Sequence, residues 1–309
     1  MKNEGARSRL GTIVTAMITP FDKRGLLDIA EAQRIAQFLV DRETDGLVLA
    51  GSTGEGQTLD KNERIALWAA VKSAVGDRAK IIANAGTNST RESIAAAQDA
   101  AAAGADAILA VVPYYNKPTQ SGMIKHFGAI ADATPELPIV IYNIPGRTGT
   151  NMLPETLLEL ASLHSNVMGV KESSGDLKQI ATIVRNRAKD FVVFAGDDHL
   201  FLPCLAVGAD GVVGVASHLC SREYRKMFDA YRSGRVEEAA EIHASLLPLI
   251  DALFATTSPI PVKWAMRQLG FRAGECRLPL DGMPQSVANR LKPLLAPFVE
   301  EGAEVLVEA

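Results

Sequence analysis

The chain has 309 residues, of which 47% are hydrophobic and 22% charged, and its 32 basic against 36 acidic residues give a formal net charge of −4. This composition excludes a disordered chain, and the absence of a basic excess argues against a nucleic-acid-binding protein. The length fits two average domains or one large α/β barrel.

The cysteines and the N-terminal segment indicate a reduced compartment. Cys204, Cys220 and Cys276 are widely spaced and form no CxxC motif, so neither a zinc ribbon nor a disulfide framework is predicted. Residues 1–10 are charged and lack the apolar stretch of a secretory signal. No apolar run approaches the roughly 18 residues of a membrane span. We therefore expect a soluble cytoplasmic protein with neither a membrane nor a nucleic-acid partner.

Eight short apolar runs recur along the chain and are predicted as strands. Each run is almost continuously apolar, which is typical of parallel strands buried on both faces. The runs cover residues 12–19, 45–50, 80–86, 106–112, 138–143, 166–173, 191–196 and 210–215.

Amphipathic segments rich in Ala and Leu separate the apolar runs and are predicted as helices. Their alternation with strands indicates repeated βαβ units, and eight units in about 235 residues predict an α/β fold, a (β/α)₈ TIM barrel over residues 11–234. A doubly wound open sheet, the alternative, usually has fewer strands. The predicted helices lie near residues 28–42, 60–75, 90–103, 120–133, 154–162, 177–187, 198–207 and 221–233.

The strand pattern stops after residue 234. Residues 235–254 and 259–269 are predicted as helices, and a last helix is predicted over 285–300, after a turn rich in Pro and Gly. Residues 235–309 are therefore expected to form a C-terminal helical extension packed on the barrel.

Lys171 is the first candidate catalytic residue. It lies near the end of the sixth apolar run, and reactive groups of such barrels lie at the C-terminal ends of the strands. A buried lysine loses its ammonium form more readily, which frees an amine that can form a Schiff base with a keto group. The alternative is a lysine that reaches outward and pairs with Glu172 or Asp176.

Tyr142 ends the fifth predicted strand, next to the strand of Lys171. Schiff-base formation requires proton transfers, for which a phenol is a suitable relay. The alternative for Tyr142 is a rim aromatic whose hydroxyl reaches solvent. Tyr114 and Tyr115, which follow the fourth strand, are candidates for the same relay or for interface aromatics.

Two loops offer groups that bind anions. Residues 51–56 supply hydroxyls and backbone N–H groups suited to a carboxylate or phosphate, although they lack the P-loop spacing. Arg147 follows the fifth strand between glycines and is predicted to bind a carboxylate through two of its guanidinium nitrogens, with a rim salt bridge as the alternative.

No metal or cofactor is predicted. The five histidines form neither an HExxH nor an HxH motif. Asp197 and Asp198 fit a helix cap better than a cation site.

Six motifs in sequence order carry a resemblance to a known family. They are GSTGEG, PYYNKPTQ, YNIPGRTG, GVKESSGD, FAGDD and PIPVKWAM, which begin at residues 51, 113, 142, 169, 194 and 259. From about residue 11 to residue 298 the chain resembles the dihydrodipicolinate synthase family of pyruvate-dependent class I aldolases. The resemblance implies a cofactor-independent lyase that condenses pyruvate with L-aspartate 4-semialdehyde in lysine and diaminopimelate biosynthesis.

The resemblance also implies roles for individual residues. Lys171 matches the Schiff-base lysine, and Tyr142 matches the tyrosine that donates and accepts protons. Ser52 and Tyr115 match the proton relay, in which the tyrosine enters the site of a neighbouring subunit. A homo-oligomer, a tetramer built as a dimer of dimers, is therefore expected.

Three further matches concern substrate binding. Thr53 matches the residue that binds the pyruvate carboxylate, Val213 the strand position whose backbone contacts pyruvate, and Arg147 the residue that binds the semialdehyde carboxylate. Ser52 departs from the threonine of many synthases and also occurs in N-acetylneuraminate lyases, which with the 2-keto-3-deoxy sugar acid aldolases remain the alternative. Arg147 favours the synthase. The second departure, Ser258 for a common Asn, has no assigned consequence.

A regulatory site is also implied by the resemblance. Asn88, Glu92 and Tyr114 match positions at which many members bind inhibitory lysine at a dimer interface. Where inhibited enterobacterial members have Ser and two His, this chain has Gly56, Lys61 and Arg64. The added positive charges predict weak lysine inhibition or none.

Two other classes of protein fit a barrel of this kind. One is a barrel retained only for binding, which would need none of the four matched catalytic residues. The other is a glycosidase that uses Glu55 and Glu172 as paired carboxylates. Because successive strand residues point to opposite faces, Glu172 cannot face the barrel interior if Lys171 does.

Overall fold

A computed structural model of the chain describes residues 10–298. Its eight strands are all parallel and close into a barrel in sequence order, with β1 paired to β8. This confirms the predicted (β/α)₈ architecture. The strands are β1 (Ile13–Ala16), β2 (Gly46–Leu49), β3 (Lys80–Asn84), β4 (Ala107–Val111), β5 (Ile139–Asn143), β6 (Val167–Glu172), β7 (Val192–Ala195) and β8 (Gly211–Gly214).

Helices follow the strands in the predicted alternation. Polar caps begin several of them: the side chain of Asp60 accepts from the Glu63 N–H in a capping box, for example. The helices are α1 (Ile29–Asp41), α2 (Lys61–Val75), α3 (Thr90–Ala102), α4 (Gln120–Ala133), α5 (Pro145–Thr148), α6 (Pro154–Leu163), α7 (Leu177–Asn186), α8 (Phe201–Ala206), α9 (Ser217–Arg232), α10 (Val236–Leu253), α11 (Ile260–Gln268) and α12 (Gln285–Leu291).

The structure corrects several predicted boundaries. The helix predicted over 198–207 is a 3₁₀ turn, Asp198–Leu200, followed by α8. Helix α9 begins four residues before the predicted 221 and contains a kink at Cys220. The short helix α5 was not predicted.

The last predicted helix, 285–300, is also shorter than expected. Helix α12 ends at Leu291, and a 3₁₀ turn, Lys292–Leu295, follows it because Pro293 has no N–H to continue the α-helical ladder. The part of this prediction beyond residue 298 lies outside the described residues, as do residues 1–9 and the end of the predicted extension.

Two apolar clusters organise the fold. One fills the barrel interior and includes Val14, Val48, Val140, Tyr142 and Val213. The second lies between the strands and the surrounding helices and continues into the packing of α10 and α11. The interior cluster supports the side chains at the C-terminal ends of the strands.

Within residues 10–298, no helix is long and apolar enough to cross a membrane.

Candidate active site

Lys171 projects into the barrel interior from the end of β6. It is paired in register with Tyr142 on β5 and with Phe194 on β7. Only 6% of the lysine is exposed, and its Nζ lies 4.3 Å from the centroid of the Tyr142 ring. The structure therefore brings together the two residues on which the Schiff-base hypothesis depends. Both belong to the same chain.

Glu172 points to the opposite face of β6, into the layer between strands and helices. Its carboxylate accepts hydrogen bonds from Asn143 Nδ2 at 3.0 Å, Gln179 Nε2 at 3.0 Å and the Ser174 N–H at 2.8 Å. It therefore neither pairs with Lys171 nor faces the barrel interior, as strand alternation predicts. The glycosidase hypothesis loses one of its two carboxylates.

The amide groups around Glu172 tie β5 to the loop that carries Arg147. Asn143 Nδ2 donates to Asn151 Oδ1 at 2.7 Å, and Asn143 Oδ1 accepts from the Met152 N–H at 3.0 Å. Asn151 in turn bonds Gln179. These bonds fix both ends of the segment 144–152, which follows Tyr142 and carries Arg147. Sequence reasoning missed this network because its members are distant in sequence.

A cleft of about 240 Å³ opens above this end of the barrel. Its wall includes Ser52, Tyr142 and Arg147, which the sequence had singled out separately. Arg147 lies on the short helix α5 and is exposed, with no ion-pair partner within the described residues. It is thus available to bind an anion in the cleft, and the alternative, a rim salt bridge, is not formed within the described residues. Sequence reasoning missed other residues that line it: Gln57, Asn84, Thr87 and Thr148.

Thr53 and Val213 are buried at the same end of the barrel, with 6% and 2% exposure. Neither lines the cleft that Ser52 and Arg147 share. Val213 belongs to the interior cluster that contains Tyr142.

The loop of Ser52 and Thr53 folds back tightly on the end of β2. The Gly56 N–H donates to the Gly51 carbonyl at 3.0 Å, and Thr19 Oγ1 donates to the Gly54 carbonyl at 2.6 Å. A Cβ atom at Gly56 would lie 1.8 Å from the Ala50 carbonyl oxygen, so only glycine fits there. Glu55, the other glycosidase candidate, is bound by Lys263 at 2.7 Å and does not line the cleft.

The two tyrosines after β4 point in different directions. Tyr114 lines the cleft, whereas Tyr115 is 89% exposed and does not. Tyr115 also has a φ of +71°, a left-handed conformation that is uncommon for an aromatic residue. A single chain therefore does not bring Tyr115 to Lys171.

A second cavity, of about 340 Å³, adjoins the cleft and contains most of the predicted regulatory positions. Its wall includes Glu92, Tyr114, Gly56, Lys61 and Arg64, but not Asn88. The carbonyl oxygen of Asn88 instead accepts from Asn116 Nδ2 at 2.9 Å. Lys61 Nζ lies 2.9 Å from a carboxylate oxygen of Asp99, so one of the two added positive charges is already paired.

Asp197 and Asp198, the acidic pair that follows β7, have structural partners. Asp197 accepts from the His199 N–H, which confirms it as a cap. Asp198 is buried and accepts from the Val215 N–H at 2.9 Å and from Tyr224 Oη at 2.8 Å, and burial raises its pKa. Among the described residues, no group of His, Cys, Asp and Glu could hold a metal ion.

Comparisons with known proteins agree on one family. Residues 9–297 match the dihydrodipicolinate synthetase family. The 4-hydroxy-tetrahydrodipicolinate synthase of Nostoc sp. is 49% identical over 92% of this chain and 97% of its own length. The enzyme of the same name from Moorella thermoacetica is 50% identical over 91% of this chain and 96% of its own length.

Solved structures give the same result. Dihydrodipicolinate synthase from Cyanidioschyzon merolae with lysine bound superposes with a TM-score of 0.92 at 44% identity, over 93% of this chain and 98% of that chain. Dihydrodipicolinate synthase from Bacillus anthracis superposes with a TM-score of 0.90 at 40% identity, over the same shares of the two chains.

Proposed function

Because the chain belongs to the dihydrodipicolinate synthetase family, we propose that it condenses pyruvate with L-aspartate 4-semialdehyde to give 4-hydroxy-tetrahydrodipicolinate and water. The chain is a lyase of this family. The observation that carries the mechanism is the buried Lys171 amine, 4.3 Å from the Tyr142 ring in the barrel interior.

The first half of the reaction uses Lys171 as nucleophile. Its neutral amine adds to the C2 keto carbon of pyruvate to give a carbinolamine, which loses water to form an iminium ion. Tyr142 donates the proton that the leaving hydroxide requires and later accepts one. Removal of a proton from the C3 methyl group then converts the iminium ion into an enamine. Thr53 is proposed to bind the pyruvate carboxylate, and the backbone at Val213 to contact the same molecule.

The second half joins the two substrates. C3 of the enamine attacks the aldehyde carbon of the semialdehyde, which becomes a hydroxyl-bearing carbon. The amino group of the semialdehyde then attacks the iminium carbon and displaces the Lys171 amine, which closes a six-membered ring and frees the enzyme. Arg147 is proposed to bind the carboxylate of the semialdehyde, since its guanidinium lines the cleft without a carboxylate partner.

The relay of Ser52 and Tyr115 is proposed to need two chains. Tyr115 is 89% exposed and held in a left-handed conformation, so its ring is directed away from its own chain. In a homodimer this ring would enter the cleft of the partner and meet its Ser52. We propose such a dimer as the minimal active unit and a dimer of dimers as the complete assembly.

The sister activities differ in the aldehyde that they use. N-acetylneuraminate lyases and sugar acid aldolases act on aldehydes that bear hydroxyl groups, whereas Arg147 offers a cation to a carboxylate. The curated relatives at 48–50% identity carry the synthase name, which also favours the synthase.

We further propose residues 11–234 as the catalytic barrel and residues 235–309 as its extension, since Lys263 of the latter reaches a loop of the former. Cytoplasmic location is proposed from the family's biosynthetic role. The free thiols of Cys204 and Cys220 fit a reducing compartment.

The test is product formation with a choice of aldehydes. The enzyme is incubated with pyruvate and either aspartate semialdehyde or N-acetylmannosamine, and the products are identified by mass spectrometry. We expect a product equal in mass to pyruvate plus semialdehyde minus water, and none from the sugar. Condensation with the sugar alone would assign the chain to the lyases, and no condensation with either would refute the proposal.

A further inference from the structure

We propose that Lys263 is a positioning residue for pyruvate binding, because its buried ion pair with Glu55 holds the loop of Ser52 and Thr53 in place. The loop belongs to the barrel, whereas Lys263 belongs to α11 of the C-terminal segment. The inference rests on the proposed function insofar as it assigns pyruvate to this loop.

The ion pair is fully enclosed. Lys263 Nζ lies 2.7 Å from Glu55 Oε1, and the two side chains are 2% and 0% exposed. Lys263 Nζ also donates to the Glu275 carbonyl at 3.0 Å and lies 4.2 Å from the centroid of the Phe21 ring. Burial lowers the pKa of Lys263, and the Glu55 charge opposes that shift.

The second oxygen of Glu55 is also held by the C-terminal segment. Glu55 Oε2 accepts from the Arg277 N–H at 2.8 Å. The Arg277 side chain then bonds Glu63 and the Thr58 carbonyl, on either side of the start of α2. Every bond from the Glu55 carboxylate therefore leads to residues more than 200 positions away, and none to its own loop.

The loop needs such support because its backbone is strained. Glu55 has a φ of +51° and Ala50 a φ of +56°, both in the left-handed region that side chains disfavour. Between them the chain reverses so tightly that Gly56 packs directly on the Ala50 carbonyl. A backbone of this kind persists only where its surroundings hold it.

Loss of the Lys263 charge would leave the Glu55 carboxylate buried without its cation. An unpaired buried charge is strongly unfavourable, so the carboxylate would move toward solvent and draw its backbone with it. Ser52 and Thr53 lie three and two residues from Glu55. The segment that carries Arg147 is anchored by a separate network, through Asn143 and Asn151. The pyruvate side of the site should therefore respond, and the semialdehyde side should not.

Lys263→Met is the test, compared with Arg187→Met as the matched control. Arg187 forms a buried ion pair with Asp210, just before β8 and at the opposite end of the barrel. For both variants we measure the dissociation constant of pyruvate, the KM for the semialdehyde, the thermal midpoint and hydrogen exchange of the peptide 50–58.

Lys263→Met should weaken pyruvate binding by at least about 10-fold, or 1.4 kcal/mol, with a semialdehyde KM within about 2-fold of wild type. It should also accelerate exchange at the Gly56 and Thr58 amides. Arg187→Met should lower the thermal midpoint but leave pyruvate binding and loop exchange at wild-type values.

Two further variants keep the result interpretable. Glu55→Gln keeps the side-chain volume and removes the charge, so it should show the same pattern if Lys263→Met does not fold. Lys263→Arg keeps the charge and should restore part of the pyruvate affinity. A variant that loses stability while pyruvate binding and loop exchange stay at wild-type values would overturn the proposal. Because loop exchange is measured without substrate, it tests positioning even if wild-type enzyme failed to bind pyruvate, a result that would refute the proposed function instead.

Discussion

If Tyr115 serves the active site of a partner chain, two inactive variants should restore activity when they share a dimer. Lys171→Ala removes the nucleophile and should abolish turnover. Tyr115→Phe removes the relay hydroxyl and should slow turnover by roughly 10²–10⁴-fold. In a mixed dimer, the chain that keeps Lys171 receives Tyr115 from its partner, so one of its two sites is complete. The other site lacks both groups.

The expected recovery follows from the symmetry of the dimer. When equal amounts of the two variants pair at random, half of the dimers are mixed. Each mixed dimer has one complete site out of two, so the total activity should reach about a quarter of wild type. The assay is coexpression of differently tagged variants, purification through both tags and measurement of condensation. In a dimer of dimers, purification through both tags removes only the tetramers of a single variant, so the purified protein should show slightly more, about 2/7 of the wild-type activity per chain.

Tyr142→Phe supplies the matched control for this experiment. Tyr142 contacts Lys171 in the same chain, so mixing Tyr142→Phe with Lys171→Ala leaves every site short of one group. No recovery is expected. Recovery in this control, or its absence with Tyr115→Phe, would refute the two-chain relay.

Other substitutions and conditions test separate parts of the account. Arg147→Ala should reduce use of the semialdehyde by an amount on the order of 2–4 kcal/mol, with little change in pyruvate binding, and equal damage to both in steady-state assays would indicate a structural role. Tyr142→Phe alone should slow turnover by about 10²–10⁴-fold, and a near-normal rate would remove it from the mechanism. Millimolar lysine should inhibit weakly or not at all because Arg64 places a positive charge beside the ligand's amine, and inhibition at tens of micromolar with saturating substrates would show that the second cavity binds lysine. Stability should fall as pH drops from about 6.5 toward 4, since burial lowers the pKa of His218 to about 4 and its Nε2 accepts the Ile18 N–H, so the unfolded chain binds the proton more readily. At pH 5 the protonation of this histidine in the unfolded chain should lower the free energy of unfolding, measured with urea, by about 2 kcal/mol. If His218→Gln leaves the pH dependence of that free energy unchanged, the assignment is wrong.

The barrel could be predicted from sequence because parallel strands buried on both faces leave continuous apolar runs. The start of α9 could not, since no local pattern predicts a helix over residues 217–220. In the structure its polar groups find tertiary partners: His218 bonds the Ile18 N–H, and Ser221 bonds the Arg42 carbonyl. Those partners lie about 180–200 residues away and leave no local pattern.

The residues of the site also fall into those that could be predicted from sequence and those that could not. Lys171, Tyr142 and Arg147 could be identified because each is a reactive side chain at or just after a strand end. The supports of the site carry no such signal, as Lys263 shows: it looks like an ordinary helical lysine until the fold places it 2.7 Å from Glu55. For Tyr115, the family resemblance implied a role in a neighbouring chain, and its 89% exposure in the single chain is the structural observation that supports that proposal.

The most direct test of the central claim is the intact mass of the protein after borohydride reduction in the presence of pyruvate. Reduction fixes an iminium ion as a stable secondary amine, so wild-type enzyme should gain one pyruvate-derived adduct per chain, and peptide mapping should place it on Lys171. Lys171→Ala should gain none while its circular dichroism and thermal midpoint match a folded barrel. An unmodified wild-type chain, or an adduct that persists in Lys171→Ala, would contradict the Schiff-base mechanism.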